Sequence, residues 1–268
     1  RDLQNRFPSI PCIGLFETAF YDHVPEHHRR MAVPLRWERD YGVRRYGFHG
    51  ASHRYVTSRL AEILGHSNLR IISCHLGGSS SIACVRNGVA VDSSWGMTAQ
   101  SGLPHNNRVG DFDAFALLYV MSQFGLTIEQ VASDLSKNGG LKGMSGLDSG
   151  DVRDLEAAAA AGNKDAKIAL QVFISAVRKY IGQFLVELNG ADAIIFTAGI
   201  GENNPHLRAE ICANMSFCGL ELDPAINNNT LAKESKISTE NSKIAVWVIP
   251  TNEELVIARS AWQLLHKK

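Results

Sequence analysis

The sequence lacks the features that mark secreted, membrane-spanning or nucleic-acid-binding proteins. Its 268 residues include only five cysteines and no CxxC pair, which excludes a dense disulfide framework and favours a reducing compartment. Lys plus Arg and Asp plus Glu number 27 each, so no positive excess points to nucleic acid or to an anionic membrane. The apolar runs are too short to span a bilayer, and no basic-then-apolar leader is visible. We therefore expect a cytoplasmic protein that binds neither nucleic acid nor membrane.

Internal repeats and linkers rich in Pro, Ser or charge are also missing. Hydrophobic residues make up 45% and charged residues 20%, which is the balance of a globular protein with room for one large domain or two modest ones. The most distinct pattern is a β-β-β meander, predicted at Arg70–His75, Ser81–Arg86 and Val89–Ser93. Asn87-Gly88 forms its second corner, and this dipeptide between strand-like runs is a strong hairpin signal.

Elsewhere, apolar spacing predicts one early strand and then alternating helices and strands. The early strand is IPCIGLF, residues 10–16. The later expected elements are helices at 53–64, 114–124, 127–137, 165–189, from about 205, and 253–265, with strands at 193–197 and 244–249. Strands that alternate with helices predict an α/β fold.

Two glycine-rich corners stand at predicted strand ends, where free backbone N–H groups can hold phosphate. The first is HLGGSSS at residues 75–81, and the second is FTAGIGENN at residues 196–204. Neither is a dinucleotide fingerprint or a Walker loop, because Asn204 replaces the third glycine and no Gly-Lys-Ser/Thr occurs. Each corner alone is compatible with an ordinary tight turn. Together they predict a nucleotide site in a fold that is neither Rossmann nor P-loop.

Five further side chains are candidates for transfer chemistry or metal binding. His49 and His53 stand four residues apart, a spacing compatible with a metal pair but more often with capping or packing. His49 can also donate a hydrogen bond to a transferred phosphate. Arg108 either pairs with a neighbouring Asp or faces a phosphoryl group. Glu17 and Glu253 follow predicted strands, where carboxylates beside phosphate are natural Mg²⁺ ligands.

In their order along the chain, these stretches resemble the acetate and propionate kinase family. That family has the actin-like ATPase, or ribonuclease H-like, fold of the sugar kinase, Hsp70 and actin superfamily. The resemblance extends over about residues 11–259. The matching stretches are FETAF at 16–20, YGFHG at 46–50, Ser52-His53, HLG at 75–77, Arg108 with Gly110-Asp111 and Asp113, DVRD at 151–154, the 196–203 loop and PTNEE at 250–254.

The resemblance implies an acyl kinase that transfers phosphate between ATP and a short-chain carboxylate, with Mg²⁺, to give ADP and an acyl phosphate. It also implies a homodimer. By this resemblance, Glu17 is the catalytic acid, His49 and Arg108 stabilise the transferring phosphoryl group, and Glu253 holds Mg²⁺. The implied nucleotide-binding residues are His75, Leu76, Gly77, Gly78, Ser79, Asp151, Val152, Arg153, Gly199, Ile200, Gly201, Glu202 and Asn203, of which 151–153 line the adenosine pocket.

In the family's layout, residues 1–18 and 252–268 belong to a first lobe and residues 19–251 to a second, nucleotide-binding lobe. The family's carboxylate-gripping Arg precedes IPCIGLF, so we expect residues 1–268 alone to bind nucleotide weakly with almost no turnover. Glu17 replaces the family's usual Asp and Gly78 its usual Asn, and the effect of both departures on activity stays open, as does the preferred carboxylate. Two alternatives also stay open. One is a nucleotide-binding module without transfer activity, and the other is a metal-dependent hydrolase built on His49 and His53.

Overall fold

Three layers make up the fold, a mixed β-sheet with helices on both faces. The structure is a computed structural model that describes residues 2–266. Arg1 and residues 267 and 268, at the ends of the segments expected to belong to a first lobe, lie outside the described residues.

The sheet of residues 2–266 has six strands, in the order β3-β2-β1-β4-β6-β5. Their bounds are β1 Arg70–His75, β2 Ser81–Arg86, β3 Val89–Ser93, β4 Ala193–Thr197, β5 Ser235–Lys236 and β6 Ala245–Val248. Strands β1, β4 and β6 are parallel neighbours, whereas β2, β3 and β5 pair antiparallel. The predicted meander is confirmed with its bounds, and Asn87 and Gly88 have φ values of 54° and 78°, as a tight primed turn requires.

The α-helices follow the predicted α/β alternation and add short helices that sequence periodicity did not indicate. Their bounds are α1 Asp2–Arg6, α2 Glu26–Arg29, α3 Leu35–Tyr41, α4 Gly50–Leu64, α5 Ala114–Phe124, α6 Ile128–Lys137, α7 Gly140–Ser145, α8 Val152–Ala160, α9 Lys164–Glu187, α10 Ala198–Asn203, α11 Pro205–Cys212, α12 Pro224–Asn228 and α13 Glu253–Leu265. Short 3₁₀ helices are Glu17–Tyr21 and Ser216–Cys218. Among residues 2–266, no helix combines the length and the apolar character that a membrane crossing requires.

Side chains of β1 alternate between the two helical layers. Ile71 packs in the cluster that contains α4, while Ile72 and Cys74 pack in the cluster that contains α9. The period of two places Ser73 and His75 on the α4 side, where both bond side chains of that helix. Ser81, the first residue of β2, also bonds His53 of α4, so β1 and β2 together present polar groups to that helix.

The predicted strand at residues 10–16 is wrong. These residues have no strand structure, and Ile10 and Phe16 are 58% and 75% exposed. A strand needs a hydrogen-bonded neighbour, and no strand of residues 2–266 lies beside this segment. Glu17 consequently begins a 3₁₀ helix and does not end a strand.

Candidate active site

The carboxyl ends of the parallel strands β1, β4 and β6 lie side by side and lead into the predicted site segments. The two glycine corners are bonded to each other, since Leu76 O accepts from Ile200 N at 2.8 Å and from Gly201 N at 3.0 Å. The second corner is itself the short helix α10, where the sequence predicted a turn. Ligands of open α/β sheets bind at this edge, so the two corners share the expected position.

A cleft of about 690 Å³ opens between the two corners, a volume typical of small-molecule sites. Most of the predicted nucleotide-binding residues line it: Gly77, Gly78, Asp151, Val152, Arg153, Gly199, Ile200 and Asn203. The other predicted residues are not part of this lining: His75, Leu76, Ser79, Gly201 and Glu202. Asn204, the last residue of the second predicted corner, also lines the cleft, together with residues outside the predicted nucleotide-binding set: Asn106, Glu156, Pro205 and His206.

Hydrogen bonds from side chains hold the first corner in shape. Ser80 Oγ lies 3.2 Å from Gly77 N and 3.0 Å from Gly77 O. Ser80 N donates to His105 Nδ1 at 3.0 Å. A Cβ on Gly77 would stand 3.5 Å from Ala198 Cβ, so a side chain at this position would already contact the second corner. The corner is thus a closed, preformed loop.

Glu202 ties the second corner to the end of β6. Its Oε1 accepts from Ala198 N at 2.7 Å, from Thr251 N at 3.1 Å and from Thr197 Oγ1 at 3.3 Å. A carboxylate that accepts several local N–H and O–H groups fixes their geometry. The contacts of Glu202 therefore give it a positioning role in the corner.

His49 and His75 stack on each other at the end of β1, where the first corner begins. His49 caps the start of α4 in the left-handed conformation, with φ of 58°, and its ring stacks on His75 at 4.2 Å between centroids. Its Nδ1 lies 2.7 Å from Ser81 Oγ, and His75 Nδ1 lies 2.7 Å from Ser52 Oγ. Burial, with the charge of Arg108 as a lesser cause, lowers the pKa of His49 to about 4. His49 is therefore a neutral hydrogen-bonding group at pH 7.

His53 is fully buried and does not form a metal pair with His49. Its Nδ1 lies 2.8 Å from Ser73 Oγ and its Nε2 lies 2.9 Å from Ser81 Oγ. Within residues 2–266, no group of three or more His, Cys, Asp or Glu side chains is placed to hold a metal ion. The hydrolase alternative therefore has no ligand set in the part of the chain that the structure describes.

Arg108 is half-buried and faces the site without a carboxylate partner in the described residues. Its Nη1 donates to Ala99 O at 2.6 Å. The alternative of an ion pair with a neighbouring Asp is wrong. Asp111 Oδ1 accepts from Gly102 N at 2.8 Å, and Asp113 Oδ1 caps α5 by accepting from Phe115 N at 2.9 Å. Both neighbouring acids have structural partners, so the charge of Arg108 remains available to an anion.

Glu17 and Glu253 bring two carboxylates to the same region. Glu17 Oε2 accepts from Ala51 N at 2.9 Å, in the first turn of α4. Glu253 is the first residue of α13. Burial and, to a lesser extent, the negative charge of Glu17 raise the pKa of Glu253. The two carboxylates therefore lie close enough to interact electrostatically.

Sequence reasoning missed three residues that shape the site. His105 is fully buried, accepts from Ser80 N and leaves its Nε2 without a partner among the described residues. Trp95 stacks on His105 at 5.1 Å and meets the edge of His49 at 5.2 Å. Arg208, also fully buried, donates to the carbonyls of Gly201 at 2.8 Å and of Glu202 at 3.0 Å. These residues lie in loops or on a short helix, where periodicity carries no burial signal.

Comparison with known proteins gives a consistent family. The sequence model of the Acetokinase family matches residues 1–259. The acetate kinases of Geobacillus sp. (strain WCH70) and Natranaerobius thermophilus are 45% and 46% identical to this chain. Each match covers 97% of this chain, and it covers 66% and 65% of the two relatives, respectively. The chain thus spans about two thirds of the length of the curated relatives it matches.

Solved structures agree with the sequence relatives. The acetate kinase of Porphyromonas gingivalis superimposes with a TM-score of 0.94 at 40% identity, over 98% of this chain and 66% of that one. A propionate kinase of Francisella tularensis gives a TM-score of 0.89 at 34% identity, over 96% of this chain and 65% of that one. These matches confirm the expected actin-like ATPase fold. The chain therefore belongs to the Acetokinase family.

Proposed function

We propose that this chain forms the nucleotide-binding and phosphoryl-transfer part of an acyl kinase, which transfers phosphate between ATP and a short-chain carboxylate such as acetate or propionate. One observation carries the proposal. Two mutually bonded glycine corners and a neutral His49 meet at the carboxyl edge of the parallel strands, beside Arg108, which has no carboxylate partner among residues 2–266. The names of the relatives, acetate kinase and propionate kinase, support the substrate class.

The cleft between the corners takes ATP or ADP. Gly77, Gly78 and Gly199 leave its wall without side chains, so phosphate oxygens can approach backbone N–H groups closely. At the rim, Asp151 accepts from Arg153 Nε at 3.0 Å and Nη2 at 2.7 Å. The side chain of Arg153 is 86% exposed, and such a surface pair stabilises the fold little. We assign Asp151, Val152 and Arg153 to the adenosine side of the cleft.

Transfer itself needs positioned charge more than covalent chemistry. The transferring phosphoryl group spreads negative charge over three equatorial oxygens, so cations and N–H donors around it lower the barrier. Arg108 supplies the cation. His49, which is neutral and stacked on His75, supplies an N–H donor. A neutral imidazole does not repel the guanidinium beside it, so both groups can face the same phosphoryl group.

The residues present fit Mg²⁺. Carboxylate oxygens are its preferred protein ligands, and Glu17 and Glu253 are close enough for the charge of one to raise the pKa of the other. Glu253 would hold the divalent cation, with Glu17 acting on it directly or through water, and its charge would offset the repulsion between the two carboxylates. When bound, Mg²⁺ neutralises charge on the phosphate oxygens. Glu17 Oε2 already accepts from Ala51 N, which fixes the carboxylate in place.

The proposal extends to a homodimer. Helix α5 buries none of its residues and exposes 74% of Phe115, 59% of Tyr119 and 68% of Phe124. Contiguous exposed apolar surface marks interaction sites, so the face of α5 supports an interface between two copies.

The division into lobes and the compartment are also proposals. Residues 1–18 and 252–268 expose apolar side chains such as Phe16 and Trp262, 75% and 66% exposed, which fits their assignment to a first lobe whose other parts cover them. Residues 19–251 contain the sheet and the cleft. The five cysteines, all within residues 2–266, are free thiols. Free thiols support a reducing, cytoplasmic setting.

Hydroxamate trapping of acyl phosphate, in the full-length gene product that contains this chain, tests the proposal. We expect hydroxamate that requires ATP, Mg²⁺ and acetate or propionate together. ADP binding is measured in parallel by calorimetry. Nucleotide binding without hydroxamate, with every short-chain carboxylate tried, would favour the alternative of a binding module without transfer activity.

A further inference from the structure

We propose that Ser73, His53 and Ser81 act as positioning residues that fix His49 in the tautomer with its proton on Nε2. They form a buried chain that ends at the imidazole. Ser73 Oγ lies 2.8 Å from His53 Nδ1, His53 Nε2 lies 2.9 Å from Ser81 Oγ, and Ser81 Oγ lies 2.7 Å from His49 Nδ1. Ser73, His53 and Ser81 are all 0% exposed, so water does not compete for these hydrogen bonds.

The protons along this series of hydrogen bonds can be arranged in two ways. In one arrangement every group donates toward His49, and in the other every group donates away from it. Each order is self-consistent, because a neutral imidazole has one N–H and one bare nitrogen, and Ser81 has a single hydroxyl proton to share between two rings. Burial lowers the pKa of His53 well below its ordinary value, so that ring is neutral. The direction of donation is therefore decided by Ser73, the residue of this hydrogen-bonded series that lies farthest from His49.

Ser73 has His53 as its only side-chain hydrogen-bond partner among residues 2–266. A buried O–H without an acceptor costs a lost hydrogen bond, whereas an unused lone pair on a hydroxyl that already donates costs less. Ser73 therefore donates to His53 Nδ1. His53 Nε2–H then donates to Ser81, and Ser81 O–H donates to His49 Nδ1.

The far nitrogen of His49 must then carry the proton. His49 Nε2 has no partner among the described residues and is not sealed in the interior. It is the ring atom left for a ligand. A bare Nε2 would repel an anionic oxygen, while Nε2–H binds one. The importance of this order for phosphoryl transfer rests on the proposed function, but the tautomer itself does not.

The tautomer can be observed directly by NMR. Residues 1–268 labelled with ¹⁵N-histidine are studied at pH 7 through long-range ¹H–¹⁵N couplings, which show which ring nitrogen is protonated. The signals of His49 are identified by their loss in His49→Gln. We expect one tautomer, with Nε2 protonated and Nδ1 bare. A protonated Nδ1, or an even mixture of tautomers, would overturn the proposal.

A matched pair of variants tests the role of the hydroxyl. Ser81→Ala removes the donor to Nδ1, and Ser81→Thr keeps it. We expect Ser81→Ala to move the His49 Nδ1 signal toward that of a free acceptor and to introduce averaging between tautomers, while Ser81→Thr retains the wild-type pattern. Unchanged His49 signals in Ser81→Ala would contradict the proposal. Should Ser81→Ala fail to fold, the wild-type and Ser81→Thr spectra still decide the proton order.

Kinetics separate this inference from the proposed function. In the full-length gene product, we expect Ser81→Ala to lower kcat about tenfold with little change in nucleotide KM, and Ser81→Thr to restore kcat. A wild-type protein without acyl kinase activity would refute the proposed function and leave the NMR result standing. An active Ser81→Ala variant with wild-type kcat would refute the positioning role alone.

Discussion

His49 lies nearly flat on His75, with ring centroids 4.2 Å apart and planes inclined by 24°. Two imidazolium ions at that distance would repel strongly. Burial keeps both rings neutral, because it lowers the pKa of His49 to about 4 and that of His75 well below its ordinary value. The cation Arg108 therefore stands beside neutral imidazoles. This combination motivates the first prediction.

Arg108→Ala and His49→Ala should each lower kcat at least ~100-fold in the full-length gene product, because each removes a group that acts on the transition state. Nucleotide affinity should change little. The measurement is hydroxamate trapping beside ADP calorimetry. The exposed Arg36→Ala is the matched control. Near-normal turnover in either site variant would remove that residue from the mechanism.

Glu17→Gln should abolish turnover and leave the fold intact. The amide oxygen can still accept from Ala51 N, the bond that Glu17 makes at 2.9 Å, but the charge available to Mg²⁺ is lost. The melting temperature and the Mg²⁺ dependence of turnover are measured together. Full activity of Glu17→Gln at saturating Mg²⁺ would show that Glu17 is structural only. Glu17→Asp, which retains the charge, serves as the comparison.

Arg208→Ala should destabilise the chain by about 3 kcal/mol or more, because it leaves several buried carbonyls without donors. Arg208 donates to Asn227 O at 3.0 Å and to Thr230 O at 2.7 Å, besides the carbonyls of Gly201 and Glu202. Urea unfolding measures the loss, with Arg36→Ala as control. A loss below about 1 kcal/mol would mean that water replaces the guanidinium.

Stability should fall as the pH drops below about 6.5. Unfolded histidines take up protons near that pH, but burial holds the pKa of His49 at about 4 and that of His105 at about 3. Between these pKa values and pH 6.5 the unfolded state binds more protons than the folded state. Each of the two histidines therefore lowers the free energy of unfolding by about 1.4 kcal/mol for each pH unit that the pH falls, and above pH 6.5 its contribution is constant.

Urea unfolding between pH 7 and pH 4.5 measures this slope. His105→Asn keeps an acceptor for Ser80 N and should make the slope shallower, while exposed His23→Gln is the control. An unchanged slope in His105→Asn would show that His105 does not contribute to the pH dependence.

Local signals in the sequence predicted much of the fold. The meander strands and α13 have the expected bounds, because turn residues and an Asn cap define their ends within a few residues. The segment at 10–16 misled the prediction because its apolar composition suits a strand, but whether it forms one depends on a distant neighbour. Helices α2 and α3 are too short for a periodic signal.

Some residues of the candidate site could also be predicted from local sequence, and others could not. His49, Arg108 and both glycine corners stand in contiguous motifs, and they could be identified from the sequence. The buried roles of His105 and Arg208 could not, since their partners are distant in sequence or belong to the backbone. Periodicity describes which face of an element is apolar, and it says nothing of a polar side chain that bonds carbonyls inside the protein.

The central claim is that the two bonded glycine corners form a preformed nucleotide cradle. The most direct test is calorimetric titration of residues 1–268 with ADP and Mg²⁺, beside Gly199→Val, whose side chain would project into the open space of the cleft. We expect weak binding of one ADP per chain and its loss in Gly199→Val. Absence of ADP binding to the wild-type chain, or equal binding to the variant, would contradict the claim.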